Sequence, residues 1–304
     1  MPENYAKVIV NPAAGARKTF KRWPEIQGYL QRTGIKYDCH FTDGAGHATS
    51  LAREAASDGY RFLVAVGGDG TVNEVANGLL TSKNASETTL GIVSTGTGND
   101  LIRSLGIPDD CAAACKCLSG ENRIRIDVGM IKYTAKGKPG ERYFVNAAGV
   151  GFDGEIAENV EKMPKNLGHT VPFVMGLLRT LPSYRNKNVK LSIDGKSADK
   201  RVLSIIVTNG AYFGGGMKVA PDALTSDKKF EVVTIGDIGK LELLRVFPRV
   251  YKGTHVTHPM VRIERAETVS IESPDRTLIQ ADGELLGESP VTFTIVPGAL
   301  CLAV

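Results

Sequence analysis

The chain is short of paired cysteines, of long apolar runs and of any strong charge imbalance, and each shortage removes a class of protein. Its five cysteines, at positions 39, 111, 115, 117 and 301, form no Cys-x-x-Cys pair. Such an odd, scattered set argues against a disulfide scaffold or a structural zinc site, and fits reduced, mostly buried thiols in a cytoplasmic protein. No apolar run approaches the length that spans a bilayer. The opening "MPENYAKVIVNP" does not have the basic-then-apolar order of a secretory leader. The chain therefore reads as soluble, which leaves room for contact with a membrane surface. Lysine and arginine number 37 against 33 acidic residues, a net charge of +4. So mild an excess gives no sign of nucleic-acid binding. Solvation alone explains it, and it also suits anionic substrates or an anionic membrane. Repeats, low-complexity tracts and a disorder signature are missing too.

What is present is enough for two domains of ordinary size. The 304 residues exceed one typical domain, and 42% hydrophobic with 23% charged residues supports a sizeable core. "YAKVIVN" reads as a strand closed by Pro12, followed by the small-residue loop "NPAAGARK". A helix is expected from about Lys18 to Arg32, with Pro24 near its start. "KYDCHFT" is a strand, and "HATSLAREAASDG" a helix stopped at Gly59. "FLVAVGG" is nearly all apolar, as in a parallel strand covered on both faces. "TVNEVANGLL" is a helix, "TLGIVSTG" a strand, and the pattern is helical from "GNDLIRSLG" through "DDCAAACKCLSG". This is βαβα alternation with glycine-bearing loops at the strand ends, the mark of an α/β domain. After about Asp127 the texture changes. "RYFVNAAGVGF", "VKLSIDG", "RVLSIIVTNG", "FEVVTIG", "PMVRIERAETVSIES" and "VTFTIVPGAL" are strand-like and separated mostly by turn residues. They imply a second, mainly β domain with one or two helical pieces near "HTVPFVMGLLRTL" and "GKLELLRVF". "KYTAKGKPGER" reads as a basic hairpin tip or loop.

GGDG, residues 67–70, ends one strand and opens a helix at about Thr71. Backbone N–H groups and a positive dipole end point outward there, and glycines let phosphoryl oxygens approach the backbone. The spacing is neither GxGxxG nor a Walker A loop, and Asp69 alone reads equally as a turn aspartate. "STGTGNDLIRSLG", residues 94–106, repeats the inventory and adds Asn99 and Asp100. Two such strand ends would face one crevice at the carboxyl edge of a parallel sheet. Two carboxylates beside phosphate call for a cation, usually Mg²⁺ with its preference for oxygen ligands. Asp127 in "RIRIDVG" completes that acidic set, or is a plain strand-end residue. "VNPAAGARK" supplies Asn11, Gly15 and Arg17 or Lys18 as a third phosphate-handling loop, or as ordinary surface. "LIQADGELLGE" is a hairpin with solvated acids, or places Glu284 to take a proton from an attacking hydroxyl. "APDALTSDKKFEVV" is a turn, or holds a structural metal through Asp227 and nearby carbonyls.

"NPAAG", "GGDGTVNEVANGL", "GTGNDLIRSLG", "IDVG" and "ADGE", in that order, resemble the diacylglycerol kinase-like lipid kinases, a family that includes bacterial soluble diacylglycerol and phosphatidylglycerol kinases and sphingosine kinases. The resemblance covers nearly the whole chain. NAD kinases and phosphofructokinases share a simpler GGDG, so the ordered combination is the specific signal. It implies an α/β fold of two domains: a Rossmann-like three-layer nucleotide-binding domain over residues 1–127 plus about 295–304, and a β-sandwich domain over 128–294. ATP would lie between them, with Mg²⁺ as cofactor. Asn11, Thr42, Gly67, Gly68, Asp69, Gly70, Thr71, Val72, Asn73 and Thr97 match the nucleotide-contacting positions. Asp69, Asp100 and Asp127 match an acidic network around catalytic Mg²⁺, partly through water. Glu284 matches the bacterial general base, with Asp69 as its rival from the eukaryotic relatives. Leu224 and Lys229, by carbonyls, and Asp227, by carboxylate, match a structural Mg²⁺ site, although "ALTSDKKF" has no glycine after the aspartate.

The implied function is transfer of the γ-phosphoryl of ATP to a lipid hydroxyl, with diacylglycerol placed ahead of phosphatidylglycerol, a sphingoid base, ceramide or another lipid alcohol. An NAD kinase-like enzyme is the alternative that GTGND and ADGE weigh against. A nucleotide-sensing regulator is the one that four intact carboxylates weigh against. The partners implied are a lipid substrate at a membrane surface, with peripheral contact and no nucleic acid; a homodimer is left open. "HTVPFVMGLLRTL" and "KYTAKGKPGER" are candidate contact surfaces, although core packing is the plainer reading of the first.

Overall fold

Up to Ser119, short apolar strands alternate with amphipathic helices, and the backbone folds accordingly. The computed structural model describes residues 5–135, 137–163 and 170–304. In order come β1 (Tyr5–Val10), α1 (Ala14–Arg32), β2 (Lys36–Phe41), α2 (His47–Ser57), β3 (Phe62–Gly67), α3 (Asp69–Leu80), β4 (Thr89–Ser94), α4 (Asp100–Leu105), α5 (Cys111–Ser119) and the long β5 (Arg123–Ala135). The second part holds β6 (Lys138–Phe144), β7 (Ala147–Gly151), α6 (Phe152–Glu161), α7 (Thr170–Thr180), β8 (Lys187–Ile193), β9 (Lys196–Val202) and β10 (Ser204–Thr208). It continues with β11 (Phe230–Ile235), α8 (Lys240–Val246), β12 (Val261–Ala266), β13 (Thr268–Glu272), β14 (Leu278–Ala281) and β15 (Glu284–Ala303). The chain divides into two compact units, one running to Asp127 and including Pro297–Val304, the other Val128–Val296.

In the first unit the strand order is β2-β1-β3-β4, all parallel, and Cys301 and Leu302 of β15 extend the sheet beyond β4. Val10 pairs with Phe41 and Val66, and Val66 with Val93, so the four carboxyl ends lie level along one edge. Alternation sorts the side chains. Val8, Val10, Val64, Val66 and Val93 meet Ile26 and Leu30 of α1 and Cys111, Cys115 and Leu118 of α5. Ile9, Leu63, Ala65 and Ile92 are buried on the opposite face, where α2 and α3 pack on β1 and β3. The two helices approach closely because a Cβ at Gly78 would lie 2.2 Å from the Thr49 carbonyl. Glu74 of α3 accepts the Gly46 and Ala48 N–H groups, satisfying donors at the start of α2.

α1 follows the expected span from Lys18 to Arg32 and differs only in the place of its proline. Gly15, Ala16 and Arg17 are left-handed, so regular helix begins at Lys18, and Pro24 lies inside it rather than near its start. Its missing N–H falls one and a half turns in, where the helix gives up one backbone bond and is held instead by the packing of Ile26 and Leu30.

Among the described residues, the second unit's strands pair antiparallel along the following ladders. β12-β11-β10-β7-β14-β15 form one run, β13 links β15 to β8 and β9, and β5 pairs with β6. Inward residues of these strands share one core around Phe144, Phe230 and Phe293, which makes the unit a sandwich. Phe144 stacks on Phe230 with centroids 5.6 Å apart and meets Phe293 edge-on at 6.1 Å. Gly129 makes room for that ring, since a Cβ there would come within 2.1 Å of it. β10 is buried throughout: Ile205 and Val207 face this core, and Ile206 faces Phe213, Met217 and Val219.

Two readings change here. "RYFVNAAGVGF" is not one strand, because β6 ends at Phe144 and β7 begins at Ala147. α6, directly after it, is a third helix in this unit. Its core-facing Phe152, Ile156 and Ala157 fit a helical face, but Gly154 and the preceding "GVGF" mask the period. A side chain at Gly154 would collide with Leu278 of β14, so glycine lets α6 lie on the sheet. The basic tip of "KYTAKGKPGER" is the β5–β6 hairpin, whose Lys136 is outside the described residues.

Candidate active site

The strand order 2-1-3-4 reverses direction at β1, so the loops after β1 and β3 flank a topological switch point, where α/β sheets bind ligands. Three loops converge at this edge. Asn11 donates its Nδ2–H to Thr71 Oγ1 at 3.0 Å and accepts the Ala13 N–H on Oδ1. Gly15 lies against the Thr95 carbonyl, where a Cβ would come within 2.3 Å. Thr19 and Thr95 share a hydroxyl bond of 2.5 Å. Gly68 and Gly96 meet backbone to backbone, and a Cβ at Gly96 would be 2.7 Å from the Gly68 Cα. The β1, β3 and β4 loops are thus locked by close glycine contacts together with the Asn11–Thr71 and Thr19–Thr95 side-chain bonds.

α3 starts directly at GGDG. Gly68 is its extended N-cap and Asp69 its first residue, and the Thr71 and Val72 N–H groups already bond to the Gly68 carbonyl. Thr71, Val72 and Asn73 are buried side chains, whereas Asp69, Gly70 and Thr97 retain exposure. Thr42 follows β2 and donates its N–H to the Val10 carbonyl, placing it beside the end of β1. What this edge offers an anion is therefore mainly backbone N–H and a helix dipole.

Asp69 and Asp100 border one glycine, and Asp127 makes a different contact. Asp69 Oδ1 accepts the Leu101 N–H of α4 at 3.4 Å. A Cβ at Gly98 would lie 2.7 Å from Asp69 Oδ2 and 3.8 Å from Asp100 Oδ2, so both carboxylates border Gly98. These are all-oxygen donors beside the glycine loops, the chemistry a hard divalent cation requires. Asp127 is buried, and its Oδ1 accepts the Gly298 N–H at 2.7 Å. Among the described residues no three His, Cys, Asp or Glu side chains stand together as direct ligands of one ion. Asp227 is bound by the Arg265 guanidinium and accepts the Lys229 N–H at 3.2 Å, while Leu224 is exposed. A cation held by that carboxylate would share it with the arginine's positive charge.

On the second unit, Asp282 and Gly283 both have positive φ and form the tight turn between β14 and β15. The turn's acids are not simply solvated. The Asp282 carboxylate accepts three successive N–H groups, from Val145 at 2.8 Å, Asn146 at 3.1 Å and Ala147 at 2.9 Å. That convergence is what breaks β6 from β7. Gln280 Oε1 accepts the Gly283 N–H at 3.0 Å, and Glu284 pairs with Arg142 at 2.7 Å. The sequence reading missed Arg142 and Gln280; a glutamine inside the apolar strand "LIQA", two residues before the turn, was the available signal for the second. Gln280 is buried, with Nε2 close to Gly149 on β7, where Asp153 Oδ2 also lies. Asp153 keeps part of its surface exposed but this oxygen is closed off, and burial pushes its carboxyl up to about 7 against the ordinary acid range.

An open parallel sheet with glycine loops and carboxylates at its switch point defines a phosphate-handling α/β unit, joined here in one chain to an antiparallel sandwich. Residues 5–131 match the diacylglycerol kinase catalytic domain, and residues 146–304 match the YegS C-terminal NAD kinase beta sandwich-like domain. A diacylglycerol kinase of Bacillus subtilis (strain 168) is 32% identical over 291 residues, covering 95% of this chain and 92% of that protein. One from Staphylococcus carnosus (strain TM300) is 29% identical over 290 residues, covering 95% and 91%. The crystal structure of a diacylglycerol kinase from Bacillus anthracis superimposes with a TM-score of 0.73 at 21% identity, covering 99% of this chain and 96% of that one, which carries the fold. The chain belongs to the diacylglycerol kinase family and is a lipid kinase acting on a hydroxyl acceptor.

Proposed function

We propose that this lipid kinase transfers the terminal phosphoryl group of ATP to the free hydroxyl of diacylglycerol, giving phosphatidic acid. The observation that carries the acceptor is the match, over 95% of the chain, to the diacylglycerol kinases of B. subtilis and S. carnosus. In this reading the loops after β1, β3 and β4 bind the donor phosphates through backbone N–H groups, with Asn11 and Thr71 fixing the loop positions. Asp69 and Asp100, with Asp127 through water, would hold Mg²⁺, which when bound neutralises charge on the transferring phosphates. Glu284 takes the proton of the lipid hydroxyl as its oxygen bonds to phosphorus and the bond to the ADP oxygen breaks. Arg142 orients that carboxylate, and the Asp282 clamp fixes the turn that carries it. Diacylglycerol stays in the bilayer, so the reaction needs transient membrane contact, and among the described residues no helix is long and apolar enough to cross.

Incubating the purified chain with labelled ATP and mixed micelles of diacylglycerol, phosphatidylglycerol, sphingosine or ceramide tests the reading. Label is expected in phosphatidic acid. Label in another lipid alone moves the acceptor, and no labelled lipid under any condition ends the proposal.

A further inference from the structure

Two helices of the second unit leave apolar side chains in the open. Leu177 of α7, Leu181 just after it and Leu243 of α8 share a cluster with Phe152, Ile156 and Tyr184. The Lys240 ammonium donates to the Pro182 carbonyl just after α7, so the two helices are neighbours. Away from that cluster, Val174, Met175 and Leu178 of α7 and Leu241 and Leu244 of α8 are exposed, Leu178 by 57% and Leu241 by 74%. Their spacing puts each set on one helix face. Single exposed leucines are ordinary, whereas five large apolar side chains on adjoining helices mark a contact surface.

The charge around them says what kind. Arg179, Arg185, Lys240 and Arg245, on these helices or just beyond α7, are all exposed, and the exposed Asp237 before α8 is paired with Arg201 and bonded by Asn186. The acid on α8, Glu242, is engaged by His258 Nε2 at 3.1 Å. Apolar residues within a basic rim are what an interfacial element uses, sinking the apolar face below the headgroups and holding anionic lipid at the edge. A second copy of the chain would set this positive rim against its own like charge.

We propose that the outer face of α7 and α8 is the docking surface for an anionic bilayer. Its purpose rests on the lipid-kinase reading above, but docking is measured without turnover. The intact chain should float with vesicles of phosphatidylcholine and phosphatidylglycerol, much less with phosphatidylcholine alone, and less as salt is raised. Leu178→Glu with Leu241→Glu should weaken binding by about tenfold or more, since each removes a leucine from the apolar phase. Arg179→Glu with Arg245→Glu should abolish the preference for anionic vesicles. Both double variants should melt with wild type, because these side chains are exposed. Phosphorylation of a short-chain, dispersed diacylglycerol should persist in the leucine variant while phosphorylation on vesicles falls. A wild-type chain that floats yet phosphorylates no lipid would sustain the surface and end the acceptor reading. Undiminished flotation of the leucine variant overturns the proposal, as does a wild-type dimer that this variant dissociates.

Discussion

Asp282→Asn isolates one bond of the clamp that holds the Glu284 turn. Oδ1 accepts from Asn146 and Ala147, and Oδ2 from Val145. An asparagine keeping its oxygen toward Asn146 and Ala147 sets an amide NH₂ against the Val145 N–H. Val145 is buried, so its donor loses a charge-assisted partner and finds no water in exchange. One such loss costs about 2 kcal/mol. For a unit of this size that is about 6 °C in melting temperature. Alanine removes both acceptor oxygens and with them all three bonds, and should cost roughly twice as much. Because Gly283 and Glu284 follow directly, loosening the turn should also lower kcat while leaving the KM for ATP in place, since the donor loops belong to the other unit. Thermal melts and lipid phosphorylation of both variants are the assay. A melting point unchanged in Asp282→Asn, with kcat intact, would refute the idea that this carboxylate sets the turn.

Gly15→Ala should raise the KM for ATP about tenfold and lower stability by about 2 kcal/mol or more, because φ is +60° and the new Cβ meets the Thr95 carbonyl. Gly34→Ala is its control, with φ of +74° and open space around it, and should lose stability alone, by about 1 kcal/mol. Comparing the two by melting and kinetics separates backbone strain from loop contact. Asp153 gives a pH signature. Burial raises its carboxyl to about 7 in the fold, so the chain takes up a proton on folding and loses stability as pH rises from about 4 through about 7. Asp153→Asn removes that loss, and its melting temperature relative to wild type should be higher at pH 8 than at pH 5; an equal difference at both would show the carboxyl is not held neutral.

The glycine loops at the carboxyl edge of the sheet were legible because their determinants are local. GGDG, STGTGND and NPAAG each demand glycine where a strand turns into a helix, and the turn lies within the motif itself. Apolar runs such as "FLVAVGG" gave the parallel sheet in the same way, since both its faces are covered. Long-range pairings left no such trace. The donors to Asp282 are 135 to 137 residues earlier in the chain, so a turn acid with a buried clamp reads like a solvated one. Arg142 likewise looks like the outward position of an alternating strand until β14 and β15 bring Glu284 to it. α6 was hidden by glycines whose purpose is close approach to β14, a constraint that belongs to the partner strand.

The choice between Glu284 and Asp69 as base turns on what else each carboxylate does. Asp69 accepts an N–H at the start of α4 and borders Gly98 together with Asp100, in the midst of the loops proposed to bind ATP. Replacing it would disturb the loops proposed to bind phosphate whatever its part in proton transfer, so loss of activity in Asp69→Asn cannot identify a base. Glu284 stands on the other unit, outside the loops that would hold ATP. Its pairing with Arg142 survives in part with a neutral amide oxygen, so Glu284→Gln should preserve the fold and the affinity for ATP. A glutamine accepts no proton, and removing a general base costs on the order of 10²–10⁴ in rate. Glu284→Gln should therefore bind ATP as wild type does by calorimetry while kcat for lipid falls by that factor. Turnover that survives would transfer the role to Asp69, because it would show that the proton leaves the hydroxyl without this carboxylate.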